Sequence, residues 1–103
     1  MKSRASAAQP GVIEEVKPDV HAQLAPPWNV IVHDDPITLM TYVTMALQRV
    51  FGYPREKAQT LMMEVHQTGR SIVWTGAREQ AELYVLKLHA TQLLATLEPV
   101  ADS

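Results

Sequence analysis

The chain has 103 residues, a formal net charge of -2 and an isoelectric point near 6.0, so no basic surface for nucleic acid or anionic lipid is expected. It contains no cysteine, which excludes a disulfide framework and a thiolate metal site. Its 47% hydrophobic content suits one small globular domain.

Residues 1–26 carry Ala, Ser, Gln and scattered charge, and Pro10, Pro18 and Pro26, with Pro27 just beyond, interrupt any helix. A disordered tail is expected there, the rival being a short helix around Val12 to Lys17 that docks only on a partner. Met1 to Gly11 lacks the apolar segment of a signal peptide, and no apolar run approaches the roughly 20 residues that span a bilayer. The expected setting is cytoplasmic.

The organising stretch is Asn29-Val30-Ile31-Val32-His33-Asp34-Asp35. Branched side chains predict a buried strand, and the aspartates with Pro36 predict its end. Thr38 is the expected cap of a first helix from about Leu39 to Phe51, with Met40, Val43, Leu47 and Val50 on a buried stripe and Gly52 as its stop. Pro54 opens a second helix whose stripe is Ala58, Leu61, Met62 and Val65, with His66 beside it and Gly69 as its stop. Ser71 to Trp74 predict a second strand. A third helix follows from about Ala77 to Gln92, capped by Thr75 or Gly76, with Ala81, Tyr84, Val85 and Leu88 facing inward. Leu94 to Leu97 predict a last strand before a frayed end at 99–103. The order β-α-α-β-α-β lacks runs of parallel crossovers. The fold class is therefore α+β, one small domain at 27–98 with a three-stranded antiparallel sheet packed on helices.

The chemistry-bearing cluster is His33-Asp34-Asp35 with His66. Imidazole and carboxylate together suit a divalent metal, acid–base work, or an ammonium group held by charge-assisted hydrogen bonds. The bland alternative is that the two aspartates only form a turn and cap a helix. Met40, Met45, Met62 and Met63 fill core gaps or line an adaptable pocket. No Gly-rich phosphate loop, nucleophile elbow or H-E-x-x-H pair is present, so catalysis is not expected. No metal and no cofactor is expected either.

The stretch VHDDPITLMTYVTMALQRVFGY, then KAQTLMMEVHQTGRSIV and a terminal ATLE, resembles the ClpS adaptor family over about residues 28 to 98. The resemblance implies the small fold shared with the C-terminal domain of the ribosomal stalk protein. It also implies recognition of N-degrons, proteins whose first residue is Leu, Phe, Tyr or Trp, and their delivery to the N-terminal domain of a ClpA- or ClpC-type AAA+ unfoldase partnered with ClpP. By motif, Asp34 and His66 contact the α-amino group, with His33 standing where the family usually has Asn. Ile37, Thr38, Met40, Val43, Met62, Val65 and Leu97 line the side-chain pocket, and the residue at Met40 rejects β-branched side chains. The loop after the acidic pair is one residue longer here, which bears on Ile37. Glu79 matches an acidic unfoldase contact, and Tyr84 stands where the family has a lysine. A flexible N-terminal extension engages the unfoldase, and a monomer is expected. The alternatives are a stalk-type interaction domain without a degron pocket, recognised by a flat filled core beside Asp34 and His66, and a metal-dependent enzyme.

Overall fold

A computed structural model describes residues 25–101. The expected tail lies almost wholly outside them. Six elements follow in chain order: β1 (Trp28–His33), α1 (Met40–Phe51), α2 (Arg55–Thr68), β2 (Arg70–Gly76), α3 (Arg78–Ala90) and β3 (Ala95–Pro99). The sheet is antiparallel with order β2-β1-β3, so the branched strand lies in the middle, where it pairs on both edges. Val30, Ile31 and Val32 are accordingly buried.

Alternation along β1 divides two environments. Val30 and Val32 face the helical layer and join one core with Ala46, Leu47, Ala58, Val65, Ala81 and Leu88. Ile31 faces the other way. Arg70 of β2 and Glu98 of β3 reach each other at 3.2 Å. They pair with His33 and Asn29 of β1, on either side of Ile31, so their ion pair crosses the central strand above it. The register shifts between Val30 and Ile31, with Trp74 opposite the first and Ile72 opposite the second. Val73 is the extra residue, and it turns into the core.

The first two helices stop where glycine predicts, and all three start within one residue of the expected positions, although the caps expected for the first and third are not used. Gly52 (φ 73°) and Gly69 (φ 93°) take the left-handed conformation, and their N–H groups donate to Gln48 O and Val65 O. The N-cap of α1 is Leu39, with no side-chain hydrogen bond, rather than Thr38. The Thr38 hydroxyl donates instead to Asp35 Oδ2 at 3.3 Å, because Asp35 lies within its reach in the preceding turn. Neither Thr75 nor Gly76 caps α3. Both belong to β2, where Thr75 Oγ1 donates to Asn29 Oδ1 at 2.6 Å, and the N-cap is Ala77. The third helix ends at Ala90, two residues before the expected Gln92, which takes a positive φ of 68°. β3 extends past the expected Leu97 to Pro99, paired with Trp28, and Val100 N–H donates to Pro27 O at 3.0 Å. A proline is tolerated there because β3 is an edge strand.

An aromatic group closes the end of the domain remote from Asp34. Phe51 meets Tyr53 at 5.0 Å and Tyr84 at 4.6 Å between ring centroids, and Trp74 meets Tyr84 edge-on at 4.9 Å. The Tyr53 hydroxyl donates to Val73 O at 2.7 Å, tying the joint between α1 and α2 to the sheet. Burial raises the Tyr53 pKa above its ordinary 10.0, helped by the nearby Tyr84 phenol.

Candidate functional site

At the end of β1 the backbone is clamped on two sides. His33 N–H donates to Leu94 O and Asp34 N–H to Gly69 O, each at 2.9 Å. The strand end is thus fixed to the C-terminus of α2 and to the residue before β3. Beyond it the two aspartates do different work. Asp35 builds the turn: its Oδ1 accepts the Ile37 N–H at 3.0 Å, its Oδ2 the Thr38 hydroxyl, and its carbonyl the Thr38 N–H at 3.1 Å. Among the described residues the exposed Asp34 carboxylate has no hydrogen bond or ion pair. The bland alternative therefore holds for Asp35 and leaves Asp34 unexplained.

Beside Asp34 is a narrow cleft with a cavity volume of about 20 Å³. Its polar wall is His33, Asp34, Asp35, Thr38 and His66. His66 stands near the end of α2, exposed, its ring without a partner among the described residues. The His33 ring is engaged: Nε2 shares a hydrogen bond with Thr96 Oγ1 at 2.7 Å, which leaves only Nδ1 for anything else. The apolar wall contains the expected Met40, Val43, Met62 and Val65. Val43, Met62 and Val65 are buried, whereas Met40, expected on the buried stripe, is 41% exposed because it opens the helix at the cleft mouth.

Two expected wall residues stand elsewhere. Ile37 is 87% exposed, its backbone N–H held by Asp35 Oδ1 in the turn. Leu97 packs against the core from β3 and does not border the cleft. In their place are Val32, Leu93 and Leu94. The signal for Leu93 and Leu94 is the apolar doublet after the third helix; the positive φ of Gln92 turns it back toward β1. Tyr84, expected at the unfoldase contact, is half-buried between Phe51 and Trp74, whereas Glu79 is exposed in the first turn of α3. Among the described residues no group of three or more His, Asp or Glu is placed to hold a metal ion, and no helix is long and apolar enough to cross a membrane.

The profile of the ATP-dependent Clp protease adaptor protein ClpS matches residues 23–97. The chain belongs to the ClpS family. The ClpS adapter of Mycobacterium marinum is 45% identical over 91 residues, covering 88% of this chain and 90% of the relative. That of Streptomyces coelicolor is 50% identical over 72 residues, covering 70% of this chain and 75% of the relative. Among solved structures, Agrobacterium tumefaciens ClpS2 bound to L-phenylalaninamide superposes with a TM-score of 0.69 at 25% identity, covering 73% of this chain and 98% of that one. Family and relatives are named as adaptors, so the ClpS chain serves Clp protease by presenting substrate and is not an enzyme.

Proposed function

We propose that the cleft binds the first residue of N-degron substrates, with Leu, Phe, Tyr or Trp in the apolar part and the free α-amino group at Asp34 and His66. The unpartnered Asp34 carboxylate at the mouth of an apolar cleft, next to an Asp35 whose carboxylate is already used, carries the proposal. An α-ammonium has three donors and is costly to desolvate unless acceptors replace water. Asp34 supplies charge, and a neutral His66 nitrogen supplies a lone pair. His33 contributes through Nδ1 alone. Each charge-assisted bond contributes about 1.5–3 kcal/mol, and burial of one Leu or Phe side chain a similar amount. Association entropy removes several kcal/mol, which leaves an affinity suited to a carrier that must release its cargo. The ligand of the Agrobacterium relative, an amino-acid amide with a free amine and a Phe side chain, fits this division of the cleft. A stalk-type interaction domain is the alternative, and the amino-acid amide bound by the Agrobacterium relative favours the degron adaptor over it.

Delivery to a ClpA- or ClpC-type unfoldase falls to another face. Glu79 is the contact residue in this proposal, since the Tyr84 ring is committed to the aromatic group.

The test is a titration of peptides differing only in residue one, and of a Leu-initiated peptide with and without N-acetylation. Tight binding for large first residues and none after acetylation is the expected result. Equal affinity for the acetylated peptide removes the ammonium from the account.

A further inference from the structure

The apolar walls of the cleft are not equally supported. Val43, Met62 and Val65 reach it from helices, whereas Leu93 and Leu94 reach it from the connector 91–94, which is neither helix nor strand. A wall of that kind keeps its place through individual hydrogen bonds. The end next to β3 is secured by the backbone, where Leu94 O accepts the His33 N–H at 2.9 Å. His89 adds a side-chain bond there: its Nε2 lies 2.8 Å from Ala95 O, and because a carbonyl can only accept, this nitrogen carries the proton. Gln92 takes φ 68°, a left-handed conformation that a residue with a Cβ adopts at a cost, so its surroundings must hold it. The end next to α3 is held from another element. Thr91 follows the last helical residue, so its carbonyl has no helical N–H to accept. It accepts the Tyr42 hydroxyl instead, at 2.8 Å. Tyr42 lies in the first turn of α1, between Met40 and Val43, and both of these border the cleft. Among the described residues, this is the one side-chain hydrogen bond between α1 and the connector.

We propose that Tyr42 is a positioning residue for the cleft: through Thr91 O it sets the spacing between the α1 wall and the Leu93 wall, and so which large first residue binds best. The proposal rests on the degron reading of the cleft. Tyr42 does not border the cleft, so its effect passes through the connector. The helical walls are anchored in a close-packed core that yields little when one bond is lost, whereas the connector contributes Leu93 alone to that core. A cleft of about 20 Å³ is also sensitive to a small shift of one wall. Removing the hydroxyl frees the connector beside α3 while the bonds at Leu94 and Ala95 remain. The change therefore falls on the width of the apolar part and leaves the amine end at Asp34 and His66 as it was.

The experiment titrates peptides that differ only in residue one, beginning with Leu, Phe, Tyr, Trp or Ala, against the full chain, Tyr42→Phe and Tyr53→Phe. Tyr53→Phe is the matched control, since it also removes a phenol-to-carbonyl bond, to Val73 O at 2.7 Å, at the end of the domain remote from Asp34. In Tyr42→Phe the spread between the tightest and weakest of the four large first residues is expected to narrow by about threefold, within what one such hydrogen bond contributes. N-acetylation of the Leu-initiated peptide is expected to abolish binding as fully as in wild type. Tyr53→Phe is expected to keep the wild-type spread. An unchanged spread in Tyr42→Phe overturns the proposal, as does an equal narrowing in both variants, which would reflect general loosening of the domain. A wild type that binds all four large residues alike, yet far more tightly than the Ala-initiated peptide, also overturns it and spares the degron reading. A wild type that prefers none of them to Ala overturns both.

Discussion

Asp34 and Asp35 are identical in type and adjacent in sequence, yet replacing them should have opposite effects. Asp34→Ala removes a carboxylate that supports no part of the fold among the described residues. Affinity for a Leu-initiated peptide is expected to fall by about 2–4 kcal/mol, the range for truncating one partner of a desolvated charge pair, with the melting temperature unchanged. Asp35→Ala removes two acceptors from the turn, so stability is expected to drop by about 1–2 kcal/mol in denaturant titration. A reversal of the two would exchange their roles. Nothing in the sequence separates them, because both residues have the same turn chemistry, and only the positions of the Ile37 N–H and the Thr38 hydroxyl decide. Met40 raises a similar point. Helical spacing assigns it to the core stripe, but spacing does not say that the first turn of a helix stands free of the sheet. At the cleft mouth, half out of the core, it has the position of a gate. Met40→Ala is expected to narrow the preference for Leu over Ile at residue one at least severalfold, read by paired titrations; an unchanged ratio makes Met40 a packing residue only.

Among the elements, α2 joins fold to site most directly. Its closing residue Gly69 adopts φ 93°, and the same residue's carbonyl receives the Asp34 N–H. No other atoms crowd the position, so Gly69→Ala is a test of backbone conformation alone. It is expected to cost about 1–2 kcal/mol of stability, and also to weaken peptide binding through displacement of Asp34, whereas Gly52→Ala should cost stability only. Calorimetry and titration on the two variants separate these outcomes. The stops at Gly52 and Gly69 are legible in the sequence because a left-handed residue has a strong chemical preference. The starts are legible to within a residue but their caps are not, because all three helices begin after residues without a side-chain cap, Leu39, Pro54 and Ala77. The nearby threonines are attractive candidates, but stronger local partners claim them, Asp35 in one case and Asn29 in the other. β3 reads short for a related reason: Pro99 argues against a strand until the strand is known to be an edge. The site inherits these errors at its margins. The register of β3 takes Leu97 out of the wall, and the turn at Gln92 brings Leu93 and Leu94 in.

On the scale of the molecule, the helical layer is fastened to the sheet at the aromatic end by the Tyr53 phenol. Its folded-state pKa is raised, so the unfolded chain releases that proton first. The contribution to stability is intact below pH 10.0 and declines as pH climbs from there through the folded-state value. Melting curves from pH 8 to 11 are expected to show this decline in wild type and a shallower one in Tyr53→Phe, whose stability at neutral pH should be lower by about 0.5–1.5 kcal/mol for the lost hydrogen bond. Equal slopes would place the alkaline sensitivity in another group. The order β2-β1-β3 carries a consequence of a different kind. The central strand comes first in the described chain, and no hairpin joins it to either neighbour: Trp28 must wait for Gly76 on one edge and Pro99 on the other. Closing those long loops costs entropy before any pairing rewards it, whereas α1 and α2 meet through the short Gly52–Pro54 joint. The folding transition state is therefore expected to hold the helix pair with β1 and β2 and to lack β3. In chevron analysis Leu97→Ala should quicken unfolding and leave the folding rate nearly unchanged, while Ala58→Gly should slow folding. The cleft, which needs Leu94 fastened to His33, then takes shape on the downhill side of the barrier, so competence to bind is the last property the folding chain acquires.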